Sequence, residues 1–264
     1  MNMAERKTVS ASESGRKRKT TTAGGETMTA AKKTGSAAPK RIGAVILWIL
    51  AIAFEIFALL MISNRIILNR KLHLVFIVAA IVIDLVLVII GSLLWKSANL
   101  IDPASEKNKV KFWLWNNMGM LVAVLAFVPL IILTLLNKDA DKKTKTVVGI
   151  VGAIALAIAL LVGHDWDPFS AEDKAAMEKS YSDDVLPEGD VYFTDSGKKF
   201  HLYKDCQHIK NSSTIYNCKE TAKDEGKKIV DIAIENNCTE VCKTCESKFL
   251  KETGKTDTTP ADGQ

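Results

Sequence analysis

Three catalytic signatures are missing from this chain of 264 residues. It has no G-x4-G-K-[ST] loop to cradle a phosphate, no G-x-S-x-G elbow for a nucleophilic serine and no H-E-x2-H pair for a catalytic metal. Their absence points away from an enzyme. Large apolar side chains are also nearly missing from the first 41 residues, "MNMAERKTVSASESGRKRKTTTAGGETMTAAKKTGSAAPKR". Such a segment buries too little surface to offset the entropy of ordering it, so residues 1–41 are predicted to form a disordered basic tail. The tail is also too long and too polar for the leading part of a cleaved signal peptide.

Charge is what the middle of the chain lacks. The 48% hydrophobic content is an average over three unlike regions, and the apolar residues are gathered into four blocks at about 43–62, 74–95, 113–136 and 147–163. Each approaches or exceeds the roughly 20 apolar residues with which a helix crosses a hydrocarbon layer about 30 Å thick, the last at the short end. Four such runs joined by short charged loops predict a four-helix transmembrane domain over residues 42–163, embedded in a lipid bilayer. The predicted fold class is therefore an α-helical polytopic membrane domain of four transmembrane helices, followed by a small α+β Cys-rich C-terminal domain.

The basic residues before the first block, among them Arg16, Lys17, Arg18, Lys19, Lys40 and Arg41, favour a cytoplasmic N-terminus, because positive flanks are retained inside. Four crossings return the C-terminus to the same side. The expected location is a cell membrane, multi-pass, with both termini cytoplasmic. The loop around Lys138 to Thr146 carries as many lysines as the loop predicted to lie inside, so orientation rests on the tail. The "RKRK" run reads as an orientation signal, with attraction to anionic lipid or nucleic acid as the sharper alternatives. After the second block, "IDPASEK" sets Asp102 and Pro103 where an N-cap and first helical residue would stand. Trp95, Trp113 and Trp115 are expected at headgroup level.

Two acids interrupt the apolar blocks, Glu55 in "IAFEIFA" and Asp84 in "IVIDLVLV". A charge at mid-bilayer costs at least about 2.5 kcal/mol, so each is expected to face a partner, the bundle interior or water. Two readings follow. In one, the acids hold helices together by hydrogen bonds, with Asn116 and Asn117 as partners. In the other, they serve a small transporter or an ion- or proton-coupled membrane protein. The fourth block repeats small residues at Gly149, Ala153 and Ala157, with Gly152, Ala155 and Ala159 nearby, a pattern that allows close helix packing and offers a face for oligomerisation.

After Gly163 the composition turns acidic. Residues 164–190 read as a short helix from Ser170 to about Ser182 and a linker. Residues 191–249 then combine a β-hairpin, "VYFTDSGKKFHLY", with a helical pattern around Ile229 to Ala233, and 250–264 form a second disordered tail. The acidic excess argues against strong nonspecific nucleic-acid binding, leaving a cytoplasmic protein as the expected partner.

The five cysteines are Cys206, Cys218, Cys238, Cys242 and Cys245. In a reducing compartment thiols serve as metal ligands sooner than as disulfides. Cys242 and Cys245 have the C-x2-C spacing that presents two thiolates to one tetrahedral Zn²⁺. His201 and Cys206 can complete the site, giving a Cys3His set with structural zinc. Cys238 and His208 are alternative fourth ligands in place of His201. Cys218 reads as a simple thiol.

The segment "VYFTDSGKKFHLYKDCQHIKNS" with its downstream "CKTC" resembles a small Cys-rich module found at the ends of bacterial proteins. More remotely, it is similar to the metal-binding part of Ada-type DNA repair proteins. The resemblance covers residues 191–246 and implies metal ligation by His201, Cys206, Cys242 and Cys245. Phe200 replaces the tyrosine usual in the module, and "KKIVDIAIENNC" lengthens the segment before the last cysteine pair.

Overall fold

A computed structural model describes residues 20–23 and 26–254. The expectations of disorder for 1–19, 24–25 and 255–264, the "RKRK" run included, lie outside the described residues. The chain divides into two compact units, residues 34–182 and residues 183–264 joined by the segment before Thr34.

The first unit is helical: α1 (Ala37–Ile62), α2 (His73–Ile101), α3 (Lys109–Asn116), α4 (Met118–Leu136), α5 (Lys142–Gly163) and α6 (Ala171–Ser180). Four of these, α1, α2, α4 and α5, are long and apolar enough to cross a membrane. Their burial is inverted relative to a water-soluble bundle. Small side chains fill the interior, with Ala51, Ala58, Ala80, Ala123, Ala126, Ala155 and Ala159 packed around Phe127, Ile77 and Ile81. The outside is apolar: Leu125 is 69% exposed and Leu161 62%. Water would oppose such a surface and hydrocarbon would not.

The α1–α2 pair is antiparallel, and fixed points set its register. At one end Lys40 donates to Ser97 Oγ (2.8 Å) and the Arg41 guanidinium binds the Asp102 carboxylate (2.7 Å). At the other, His73 Nε2–H donates to the Met61 carbonyl (2.9 Å). Between them Trp48 lies so close to Gly91 that a β-carbon there would sit 2.5 Å from the indole nitrogen.

Several sequence-based expectations are corrected here. Asp102 caps the C-terminus of α2 rather than the start of the next helix. The polar run after Trp95 continues the helix to Ile101, and the Arg41 clamp on both the Asp102 side chain and its carbonyl fixes that end. Asn108 is the N-cap that opens α3, its side chain accepting from the Lys111 N–H. The third block is broken at Asn117. There the side-chain amide donates to the Trp113 carbonyl (2.9 Å), which the backbone N–H of Asn117 also uses, a local competition typical of asparagine.

On α5 the packed small residues are Gly152, Ala155, Ala159 and Gly163, while Ala153 and Ala157 face outward. Gly163 is required, since its absent β-carbon would lie 2.6 Å from the Met120 nitrogen. Trp95 is buried between Trp48 and Trp115, donating to the Trp115 carbonyl (2.8 Å), instead of standing at a surface; Trp113 is exposed. In α6, Ser170 and Asp173 form a reciprocal capping box, which satisfies N-terminal N–H groups otherwise left open.

The second unit holds β1 (Thr20–Ala23), β2 (Glu26–Ala30), β3 (Tyr192–Phe193), β4 (Lys199–Phe200), β5 (Thr214–Asn217), α7 (Lys219–Glu225), α8 (Ile229–Glu235), β6 (Glu240–Val241) and α9 (Lys243–Thr253). One sheet has the order β1-β2-β5-β3 and a second pairs β4 with β6 in parallel. The expected hairpin of residues 191–203 is reduced to a single antiparallel bridge, Tyr192 with His201. Its two strands take different partners, β3 bonding β5 and β4 bonding β6.

Part of the polar leading segment is ordered, contrary to the composition. Strand β2 pairs in parallel with β5, Met28 opposite Ile215. The Ala31 carbonyl accepts from Thr221 Oγ1 (2.8 Å), Lys32 O from the Asn236 amide (3.2 Å), and Lys33 pairs with Asp224 (3.1 Å). A strand of threonine and alanine needs no apolar core of its own when a sheet edge supplies its backbone partners.

Candidate metal centre

Each of the four candidate ligands is placed by a backbone constraint. His201 follows β4 directly, and its N–H and C=O both bond to Tyr192 (2.7 and 2.9 Å). Cys206 opens a tight turn whose carbonyl accepts from Ile209 and Lys210 (2.9 Å each). Cys242 is tied to β4 by its N–H donating to the Phe200 carbonyl (2.9 Å) and is also the N-cap of α9. Cys245 lies in the first turn of that helix. The parallel β4–β6 pairing thus brings the segment containing His201 beside the turn carrying both C-x2-C thiols.

The result is a closed cluster. His201, Cys206, Cys242 and Cys245 are all buried and their ligand atoms lie within 4.8 Å of one another. Cys206 Sγ is 4.0 Å from Cys242 Sγ, and Cys245 Sγ is 3.8 Å from His201 Nδ1. A disulfide needs about 2.05 Å, so these are separate thiols. A tetrahedron with Zn–S bonds of about 2.3 Å has edges of about 3.8 Å, close to the two measured pairs. The set of three sulfurs and one imidazole nitrogen is soft, suited to zinc and poorly suited to calcium or magnesium. This buried group could hold a metal ion.

The protonation of the cluster points the same way. Burial, with His208 nearby, lowers His201 to about 4, so its imidazole is neutral and has a lone pair to give. Burial raises the Cys242 thiol, but the N–H groups of Cys245 and Thr244 at the start of α9, together with the Cys206 and Cys245 thiols, more than offset it and leave it below the ordinary value. Cys245 is pushed up to about 12, first by burial and then by the neighbouring sulfurs, although the Leu202 N–H acts against the shift. Three thiols this close cannot all ionise without a cation among them.

Cys238 and His208 stand outside the group. Cys238 is buried with its thiol toward the Gly197 carbonyl (3.4 Å), and burial raises it to about 12. His208 is exposed, its Nε2 bonding Thr244 Oγ1 (3.1 Å). Cys218 is fully buried beside Asp190. Asp190 is a structural residue that the sequence did not reveal. Its Oδ1 accepts from the N–H groups of Val191 (2.7 Å), Cys218 (3.0 Å) and Lys219 (2.9 Å), joining the start of β3 to the β5–α7 corner. Its one local signal is an acid directly before an apolar strand. Outside the ligands, Tyr203 donates to Glu252 (2.5 Å) under the Lys248 ammonium, 3.7 Å from the ring centre, holding α9 against the His201–Cys206 loop.

In the other unit, Glu55 and Asp84 are buried in the bundle, 6% and 1% exposed. Asn116 and Asn117 do not reach them: Asn116 accepts from Asn99 (3.2 Å), and Asn117 bonds Trp113 and the Asp165 N–H. The chain matches no protein-family model, no curated protein and no solved structure.

Proposed function

We propose that this chain is an integral membrane protein whose four-helix bundle anchors a zinc-binding Cys3His module, and that the module serves interaction or regulation without catalysis. The carrying observation is that the four ligands are all buried within 4.8 Å of one another. A four-ligand set shielded from water leaves no position for substrate, which is the mark of a structural metal site. The resemblance of residues 191–246 to small bacterial Cys-rich modules supports the same reading.

The β2–β5 pairing bears on topology. Residues before α1 and after α5 share one sheet, as an even number of crossings allows. The basic leading segment favours the cytoplasmic side, where thiols stay reduced and available to zinc. The partner is then a cytoplasmic protein.

The test is the zinc content of the full-length chain, purified in detergent under reducing conditions beside Cys242→Ser and Cys245→Ser. About one zinc per wild-type chain, lost in both variants, is the expected result. A folded wild-type chain without zinc would overturn the metal reading. For the anchored-module reading, the Cys242→Ser phenotype should be reproduced by deleting residues 183–264.

A further inference from the structure

The bundle contains a second site, unrelated to the thiols. Trp48 packs on Gly91 at one level of the α1–α2 pair, and Met61 meets His73 further along. Glu55 stands seven residues after Trp48, and Asp84 seven before Gly91. In an antiparallel pair these equal steps, two helical turns each, place the two carboxyls opposite one another. They are close enough for the Asp84 charge to act on Glu55. Both lie among Ala51, Ala58, Ala80, Ile81 and Val88 in the apolar core. Both oxygens of Asp84 are buried with no hydrogen-bond partner.

No base answers them. In α1 after Arg41, Glu55 is the sole ionisable side chain, and between His73 and Lys96 Asp84 is the sole one in α2. Helix α4 has none, and α5 has none after Lys145. The buried hydroxyls of Ser92 and Thr134 each donate to a carbonyl of their own helix. Two unpaired carboxylates in such surroundings cannot both carry charge. A divalent cation would ask for about six or more oxygens, whereas two carboxyls supply four. A proton needs only one donor and one acceptor.

We propose that Glu55 and Asp84 form a proton-binding pair inside the bundle, retaining at least one proton between them at neutral pH and exchanging it with the medium. This stands independently of the zinc site.

The probe is N,N′-dicyclohexylcarbodiimide, whose N=C bond takes up the O–H of a protonated carboxyl in an apolar setting, so that the adduct gains the mass of one reagent. Full-length chain in detergent is labelled across a pH series and mapped by mass spectrometry. The expected result is an adduct on Glu55 or Asp84 at about pH 6, falling at least about tenfold as the pair ionises at higher pH. In Asp84→Asn the Glu55 adduct should persist with its pH midpoint moved down by about one unit or more, because a like charge has gone. No adduct on either acid at about pH 6 would overturn the proposal, as would a midpoint unmoved in Asp84→Asn. Suppression of labelling by Na⁺ or Ca²⁺ at constant pH would also overturn it and assign the site to a metal cation. Infrared difference spectra of the wild-type chain need no variant: a carboxylic-acid C=O band must disappear as pH rises, and its absence sinks the pair.

Discussion

The two units bury polarity in opposite ways. In the Cys-rich unit, backbone bonds aim four ligands at one point, and a cation placed there would satisfy them all at once. In the bundle, two buried acids have no base in the apolar stretches of the helices packed around them, after Arg41 in α1, between His73 and Lys96 in α2, throughout α4 and after Lys145 in α5. The outsides differ as well, charged on the small unit and apolar on the bundle. A water-exposed unit with short strands has a small core and depends on a cross-link such as a metal. A bundle in hydrocarbon gains little from apolar burial and depends on close packing, so the same insult should affect the two units unequally.

Metal removal should give the largest contrast. Structural zinc in small domains contributes on the order of 10 kcal/mol, so with zinc in the proposed site chelation, or Cys242→Ser, should unfold residues 183–254 and leave α1, α2, α4 and α5 intact. Hydrogen exchange read by mass spectrometry checks this, with protection lost in β5 and α9 and retained in α1 and α2. Equal loss in both units would break the contrast.

The next effect is at Asp190. Removing its carboxylate in Asp190→Ala takes an acceptor from the N–H groups of Val191 and Lys219, while Cys218 retains its bond to the Val191 carbonyl (3.1 Å). At about 1 to 3 kcal/mol per stranded group, the cost should be about 2 to 6 kcal/mol in denaturant unfolding of zinc-loaded protein. Asp190→Asn keeps an acceptor and sheds a charge. Burial raises Asp190 above its ordinary 3.8 even though three N–H groups pull the other way. The stability this group contributes is thus present below 3.8 and lost as pH rises through the folded-state value. Asp190→Asn should match or exceed wild type at neutral pH, and this advantage should vanish below about pH 4.

Packing in the bundle comes third. Gly163→Ala forces a β-carbon against the backbone of Met120, and overpacking of this kind costs about 1 to 3 kcal/mol. Gly43→Ala, whose β-carbon would meet only Leu94 at an ordinary 3.6 Å, is the control. Thermal unfolding in detergent should show a lower midpoint for Gly163→Ala alone.

What was legible in the sequence were features whose cause is local. The apolar blocks announce their helices because length and composition suffice, and the C-x2-C pair shows itself because one turn holds it. The β2–β5 edge was hidden because its partners lie far along the chain, Thr221 being 190 residues from Ala31. Asp102 and Pro103 looked like a helix start because the pair fits that role. The competing end of α2 depended on Arg41, 61 residues away. Of the small residues on α5, the sequence pattern alone did not decide which stripe faces in; helix α4 does.

The smallest effect separates burial from surface charge within the small unit itself. Lys199 and Glu240 sit opposite in the β4–β6 pair, 2.6 Å apart, with side chains 42% and 55% exposed. This is the strand pairing that brings His201 beside Cys242, which makes the ion pair one candidate for what assembles the site. Exposed pairs contribute only about 0 to 1 kcal/mol, whereas the Cys242 N–H to Phe200 carbonyl bond acts in the same place from a buried position. Lys199→Ala should therefore lower stability by less than about 1 kcal/mol and leave zinc stoichiometry unchanged. A clear loss of zinc in Lys199→Ala would mean that surface charge, and not the buried backbone, sets the register of the ligands.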